Sequence, residues 1–273
     1  MVFYYFIIFI FGLIVGSFLN CVIYRLEVGE KPFGRSYCPK CKRKLSWQDL
    51  IPVLSFLILR GRCRYCHKKI SIQYPLVEIA TGSLFLLIFN EFFPLGGIPQ
   101  GGTIFNFQNF INLCFMLCVS CFMVVIFVYD LKHYIIPDKV IYPAIIITFL
   151  YKLFGIWLGF GWDLGFEHWD FMLAAFLASL FFLAIVLVSR GRWMGIGDIK
   201  LAFLMGLFLS FPNILVALFF SFFIGAIIGL GLITAKKKTL KSEVPFGPFL
   251  VIGTFIALFW GERIIDWYLD LFL

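Results

Sequence analysis

Read for hydrophobicity, the chain alternates between long apolar runs and short polar interruptions. Eight runs stand out, at about 2–24, 76–93, 109–129, 139–160, 171–189, 199–211, 214–235 and 247–261. Most approach the roughly 20 residues that carry an α-helix across a bilayer. The first lacks a basic n-region and a small-residue cleavage site, so it is expected to be a retained span rather than a signal peptide. The sixth is short. From Asp198 to Phe211 a helix rises only about 20 Å, against a hydrocarbon core about 30 Å thick, and Pro212-Asn213 then turns the chain. Either the far turn of that helix is sunk in protein, or Asp198 lies below the membrane surface. The pattern predicts an all-α polytopic membrane protein of about eight transmembrane helices. A first helix occupies 1–24, a polar insert 25–75, and a seven-helix membrane domain 76–273.

Composition supports the bilayer as the main partner. The chain is 62% hydrophobic and 14% charged, with a mean hydropathy of +0.99, too little charge to cover a soluble domain of 273 residues. The net charge of +8 does not point to nucleic acid, because of where it lies. Of 23 Lys and Arg, 21 fall on one alternating set of connections: 25–75, 130–139, 190–200 and 236–243. The opposite set has none in 94–108, only acids in 161–170, and Arg263 alone near the C-terminal end. By the positive-inside rule the first set is cytoplasmic and both termini face out.

The cytoplasmic insert carries Cys38-Pro39-Lys40-Cys41 and Cys63-Arg64-Tyr65-Cys66, two CxxC pairs separated by 21 residues. Each pair offers two thiolates from one tight turn, which suits tetrahedral Zn²⁺. Disulfides are disfavoured on a cytoplasmic loop, and a lone redox CxxC leaves the duplication unexplained. A structural zinc would supply folding energy that a loop of this size cannot draw from apolar burial. Lys40, Lys42, Arg43, Arg62 and Arg64 are placed to offset the negative charge of four thiolates. His67 reads as a surface residue. The apolar segment 51–59 is too short to span and is expected to lie on the bundle or the membrane interface. Cys114, Cys118 and Cys121 recur on one helical face and read as small packing residues, as do Gly225 and Gly229.

The acids near the cytoplasmic ends of the spans carry the candidate chemistry. Asp198 follows Gly195-Ile196-Gly197 and opens the sixth run, and Asp130 closes the third at the same side. Acids at the edge of hydrocarbon are costly and mark functional sites. Two carboxylates drawn together from separate helices would share a proton, and one could then activate water while the other hydrogen-bonds a scissile carbonyl. Separate ion pairs with neighbouring Lys or Arg are the other reading, and spacing alone leaves both open. Asp130 would end a helix and Asp198 begin one, so the macrodipole argument puts the shared proton more often on Asp130. Asp138, after Pro137, reads as a helix cap. Glu78 lies near the cytoplasmic end of the second run with no capping role to explain it.

At these residues the chain resembles the bacterial type IV prepilin peptidases, polytopic aspartic proteases of the GxGD class. The likeness runs in order through Gly16-Ser17-Phe18-Leu19-Asn20-Cys21-Val22-Ile23-Tyr24-Arg25-Leu26, the paired CxxC insert, Ile51-Pro52-Val53-Leu54-Ser55, Tyr74-Pro75-Leu76-Val77-Glu78, Asp130, Ile136-Pro137-Asp138, and Gly195-Ile196-Gly197-Asp198. Glu27 stands where many members carry proline. The resemblance implies a bifunctional enzyme of the bacterial cytoplasmic membrane. It would cleave the basic leader from type IV prepilins and prepilin-like secretion or competence proteins at the cytoplasmic face, then methylate the new amino terminus with S-adenosylmethionine. By motif position Asp130 and Asp198 are its catalytic pair and Gly195 and Gly197 the supporting loop. Cys38, Cys41, Cys63 and Cys66 are the zinc ligands, and Glu78 is a candidate for the methyl-transfer or substrate site. A peptidase without methylation and a proton-coupled transporter are the alternatives. The transporter reading predicts inverted repeats, and the sequence has no clear one.

Overall fold

Described in a computed structural model are residues 2–31, 34–94, 107–157, 169–235 and 244–271. The lysines Lys236, Lys237, Lys238 and Lys241, the acids Asp163 and Glu167, and most of the 94–108 connection lie outside the described residues.

The described residues form α1 (Val2–Val28), α2 (Leu54–Ile58), α3 (Gln73–Phe92), α4 (Phe107–His133), α5 (Asp138–Trp157), α6 (Asp170–Ser189), α7 (Ile196–Leu209), α8 (Asn213–Thr234) and α9 (Gly247–Asp270), with a single 3₁₀ turn over Trp47–Leu50. Seven helices are long and apolar enough to cross a membrane: α1, α3, α4, α5, α6, α8 and α9. The eighth apolar helix, α7, has 14 residues, the short element the sequence predicts. The chain is an all-α, multi-pass membrane protein. Among the described residues there is no strand, only two isolated bridges in the insert.

The apolar runs locate the helices but not all their ends. α4 continues past Asp130 to His133, where Lys132 and His133 complement the negative end of its dipole. Asp130 therefore sits inside the last turn rather than closing the helix. α9 extends to Asp270, beyond the apolar run, through a polar stretch that includes Glu262, Arg263 and Asp266.

The chain divides into two compact units, 1–125 and 126–273. In the first, α1 and α3 pack along their length because glycines remove the side chains between them. A Cβ on Gly12 would lie 2.7 Å from Gly82 Cα, and one on Gly16 2.8 Å from Glu78 Cα. Polar ties hold the two ends of this pair. Tyr5 donates to Asn90 Oδ1 at 2.7 Å, and Asn20 Nδ2 to the Tyr74 carbonyl at 3.0 Å.

In the second unit α7 is the central helix, touching α5, α6, α8 and α9. From Leu201 onward it is apolar on every side, with Leu201, Leu204, Met205 and Leu207 fully buried, as a helix surrounded by protein must be. Gly206 lets α6 approach it, since a Cβ there would collide with the backbone of Ala174 and Ala175. Gly253 does the same between α9 and α8 at Ser221. Of the two glycines read as packing residues on α8, Gly225 meets Phe249 and Phe246, whereas Gly229 faces open space. Cys114 and Cys118 on α4 are exposed rather than packed.

Candidate active site and metal centre

The metal centre is built from two copies of one turn. Cys38 N–H donates to the Arg43 carbonyl and Lys42 N–H to the Cys38 carbonyl, at 2.9 and 2.8 Å. Twenty-five residues on, Cys63 N–H donates to Lys68 and His67 N–H to Cys63, at 3.0 and 2.9 Å. A bridge closes each turn, Tyr37 with Lys44 and Arg62 with Lys69. Lys42 and His67 occupy the same left-handed position in the two copies, at φ 57° and 55°. His67 therefore serves the turn, and it is exposed.

The four cysteine sulfurs lie within 4.8 Å of one another, and Cys38 Sγ is 3.9 Å from Cys66 Sγ. Tetrahedral Zn–S bonds of about 2.3 Å would set sulfurs about 3.8 Å apart, so this four-thiol cluster fits a metal ion of that kind. Cys38 and Cys63 are buried. Arg62, Arg64 and His67 line a cavity beside Cys63, the basic surround that the sequence places next to the thiolates.

Arg64 also ties the second turn to the 3₁₀ segment, its Nε donating to Asp49 Oδ1 at 2.7 Å. Burial pushes the Asp49 carboxyl up, but hydrogen bonds from Ser46 and Arg64 outweigh it and hold Asp49 below its usual value. On that segment and just after it, Trp47, Leu54, Leu57 and Ile58 present apolar side chains outward, the surface expected of a segment lying on a membrane.

The two aspartates of the second unit come together. Asp130, from the last turn of α4, is 4% exposed, and Asp198, from the first turn of α7, is 9% exposed. They are close enough to interact electrostatically. Each takes one backbone N–H from a helix N-terminus. Gly195 N–H donates to Asp198 Oδ2 at 3.1 Å, closing the start of α7, and the Gly247 amide at the start of α9 donates to Asp130.

The second of these contacts changes the electrostatics. The end of α4 disfavours an anion at Asp130, but the start of α9 favours one there, so the proton asymmetry expected from α4 and α7 alone loses its basis. Neither aspartate is in an ion pair among the described residues. Asp138, in contrast, is the first residue of α5 and pairs with Lys200 at 2.6 Å, while Lys200 Nζ lies 4.8 Å from the Tyr142 ring centroid.

Glycines and one isoleucine frame the pair. A Cβ on Gly197 would stand 3.1 Å from Ile136 Cβ, and one on Gly247 would stand 2.5 Å from Asp130 Oδ2 and 3.5 Å from Ile136 Cδ1. A Cβ on Gly195 would meet nothing nearer than 3.9 Å. Gly247 is the residue that sequence reasoning missed. Its one sequence signal is the Phe246-Gly247-Pro248 opening of the last apolar run.

Glu78 lies in the first unit, buried at 6% exposure. Its Oε2 accepts the Val53 N–H at 2.8 Å, and Ser17 also hydrogen-bonds to it. It is thus set on α3 against α1 and the insert, and it belongs to a different unit from the aspartate pair.

Comparison with known proteins gives matches along most of the chain. Residues 10–92 match the family model described as bacterial peptidase A24 N-terminal domain, and residues 117–230 that of the type IV leader peptidase family. A protein of Aeromonas hydrophila called prepilin leader peptidase/N-methyltransferase is 31% identical over 99% of this chain and 95% of its own length. A Bacillus subtilis (strain 168) protein of the same name is 32% identical over 98% of each, and one of Legionella pneumophila 30% identical over 98% and 95%. No solved structure matches the chain.

Proposed function

The chain belongs to the type IV leader peptidase family, and from that premise we propose that it is an aspartic endopeptidase that removes the basic leader of type IV prepilins and prepilin-like secretion or competence proteins. Asp130 and Asp198 are its catalytic pair. The observation that carries this reading is their arrangement: two buried carboxylates from separate helices, near enough to interact, each held by a helix N-terminal amide and neither in an ion pair among the described residues. Like charges at such range share a proton. The ionised partner takes a proton from water as it attacks the scissile carbonyl, and the protonated partner donates a hydrogen bond to the carbonyl oxygen. The Gly195 and Gly247 amides orient the carboxylates and need not move during the reaction.

The substrate is itself a membrane-inserted helix with a cytoplasmic leader, so the scissile bond meets the pair at the cytoplasmic face. The distribution of Lys and Arg supports the side of the insert as that face, with both termini outside, and the relatives support the bacterial cytoplasmic membrane as its location. Zn²⁺ on Cys38, Cys41, Cys63 and Cys66 is structural, because four thiolates leave no open position for catalysis. The second activity is methylation of the new amino terminus, for which S-adenosylmethionine supplies an electrophilic methyl group when bound.

A leader-bearing prepilin incubated with wild type, Asp130→Ala and Asp198→Ala in lipid nanodiscs tests the assignment. Cleavage is expected with wild type alone. Full cleavage by either variant, or none by wild type, overturns the peptidase reading. Labelled S-adenosylmethionine in the same reaction tests methylation separately.

A further inference from the structure

Glu78 is a buried carboxylate whose surroundings leave it half satisfied. An ionised carboxylate offers about four lone-pair sites. Glu78 receives the Val53 amide and the Ser17 side chain, and no Lys, Arg or His pairs with it among the described residues. A neutral glutamine would anchor the Val53 amide equally well, so that contact alone does not call for an acid. Burying an unpaired charge is costly, and an acid at such a place marks a site by default.

A second orphan lies beside it. Asn20 is 2% exposed, its Nδ2 donates to the Tyr74 carbonyl, and its Oδ1 has no partner. Tyr74 lies one helical turn before Glu78 on α3. Gly16, one turn before Asn20 on α1, sits against Glu78 Cα. Ser17 thus bonds the Glu78 carboxylate, and Asn20, one turn further along the same face of α1, lies against the turn of α3 that precedes Glu78.

The backbone supplies a third sign. Val53 is held at φ 58°, ψ −50°, a conformation that a β-branched residue adopts only under constraint, and such strain gathers at binding sites.

The acceptors left open at this place are the remaining lone pairs of Glu78, the Oδ1 of Asn20 and the oxygen of Ser17. The complementary ligand is a cation with several N–H donors, and a primary ammonium offers three. We propose that Ser17, Asn20 and Glu78 form a binding site for the α-ammonium group of the mature substrate's amino terminus. This deepens the methylation reading given above and rests on it. The site would hold the group to be modified on the first unit, and the aspartate pair belongs to the second.

The test uses the full protein in phosphatidylglycerol nanodiscs and a synthetic peptide beginning with phenylalanine and an apolar helix, with its amino terminus free or acetylated. Wild type is expected to bind the free form at least tenfold more tightly, the scale of a charge-assisted hydrogen bond. Glu78→Gln should abolish that preference and Asn20→Leu reduce it, while both variants keep the wild-type zinc content and thermal midpoint that report folding. Glu78→Gln should also lose methylation of the cleaved product.

Retention of the preference by both variants overturns the proposal, as does its absence in wild type. Two further arms separate other primary ammonium groups. If adding phosphatidylethanolamine abolishes the preference, or if Glu78→Gln weakens S-adenosylmethionine binding but keeps the peptide preference, the site belongs to a lipid headgroup or to the donor and the assignment falls. A wild type that neither cleaves nor methylates would instead sink the functional reading beneath it.

Discussion

Gly247→Ala gives the sharpest steric test of the aspartate pair. The added Cβ would stand 2.5 Å from Asp130 Oδ2 and 3.1 Å from its Cγ, whereas ordinary contact begins near 3.4 Å. Relief requires a displacement of about 1 Å of a carboxylate that is buried at 4% exposure and held by the Gly247 amide. A misplacement of that size costs a reaction about 10²-fold, or about 2.7 kcal/mol. Alanine keeps the amide that donates to Asp130 and suits the start of a helix, so the loss is steric and local to the carboxylate. The companion variants grade the effect. Gly197→Ala meets Ile136 Cβ at 3.1 Å, which a few tenths of an ångström relieve, and should cost severalfold. Gly195→Ala meets nothing within 3.9 Å and should remain near wild type. The assay is initial-rate leader cleavage in nanodiscs, with zinc content and thermal midpoint as controls for folding. Gly247→Ala within threefold of wild type, or Gly195→Ala the worst of the three, would refute the reasoning.

Removing the metal by chelation, or replacing a ligand as in Cys63→Ser, should drop bound zinc from about one equivalent and open the insert to protease between its two turns, as read by mass spectrometry of the fragments. Asp49→Asn should loosen the insert near neutral pH, measured by hydrogen exchange over 36–70. Because Asp49 is held below its usual value, its contribution is present above about pH 4 and disappears as pH falls through the lowered pKa, so the difference from wild type should vanish in acid. Gly206→Ala drives a Cβ into the backbone of Ala174 and Ala175, which no rotamer change relieves. It should destabilise the second unit by about 1–3 kcal/mol, seen as a lower thermal midpoint in detergent.

The parts of this fold legible in the sequence were those written in local runs. Twenty apolar residues announce a span whatever they pack against, and two CxxC pairs announce a thiolate site before any contact is known. The ends of α4 and α9 were not legible, because polar residues such as Lys132 or Glu262 interrupt the hydropathy without interrupting the helix. The aspartates were found because an acid beside an apolar run is conspicuous. Gly247 was not, because a glycine opening a helix has many causes and only its approach to Asp130 gives it one. Asn20 stands within a recognisable motif with no task visible in the sequence, since its orphan oxygen exists only once α1 and α3 are packed. Residue types that suggest chemistry are visible in a sequence, and the proximity that assembles them is not.

The short helix α7 shows how these levels join. At about 1.5 Å per residue its 14 residues rise about 21 Å, short of a core about 30 Å thick, so its ends must be kept from lipid by protein. Both are: Asp198 at one end and Ser210 just past the other are 9% and 7% exposed. A buried helix end leaves carbonyls without partners, and beside this one Lys152 Nζ donates to Ser210 Oγ at 3.1 Å, which sets a basic group near the negative end of the helix dipole. The opposite end leaves amides without partners, and Asp198 accepts one of them by closing back on the Gly195 N–H. A helix of full spanning length would place both ends at the interfaces, where water satisfies them and neither charge is required. The truncation of α7 therefore creates the buried N-terminus in which a carboxylate is stable, and α4 and α9 bring a second carboxylate and a second helix start to the same place.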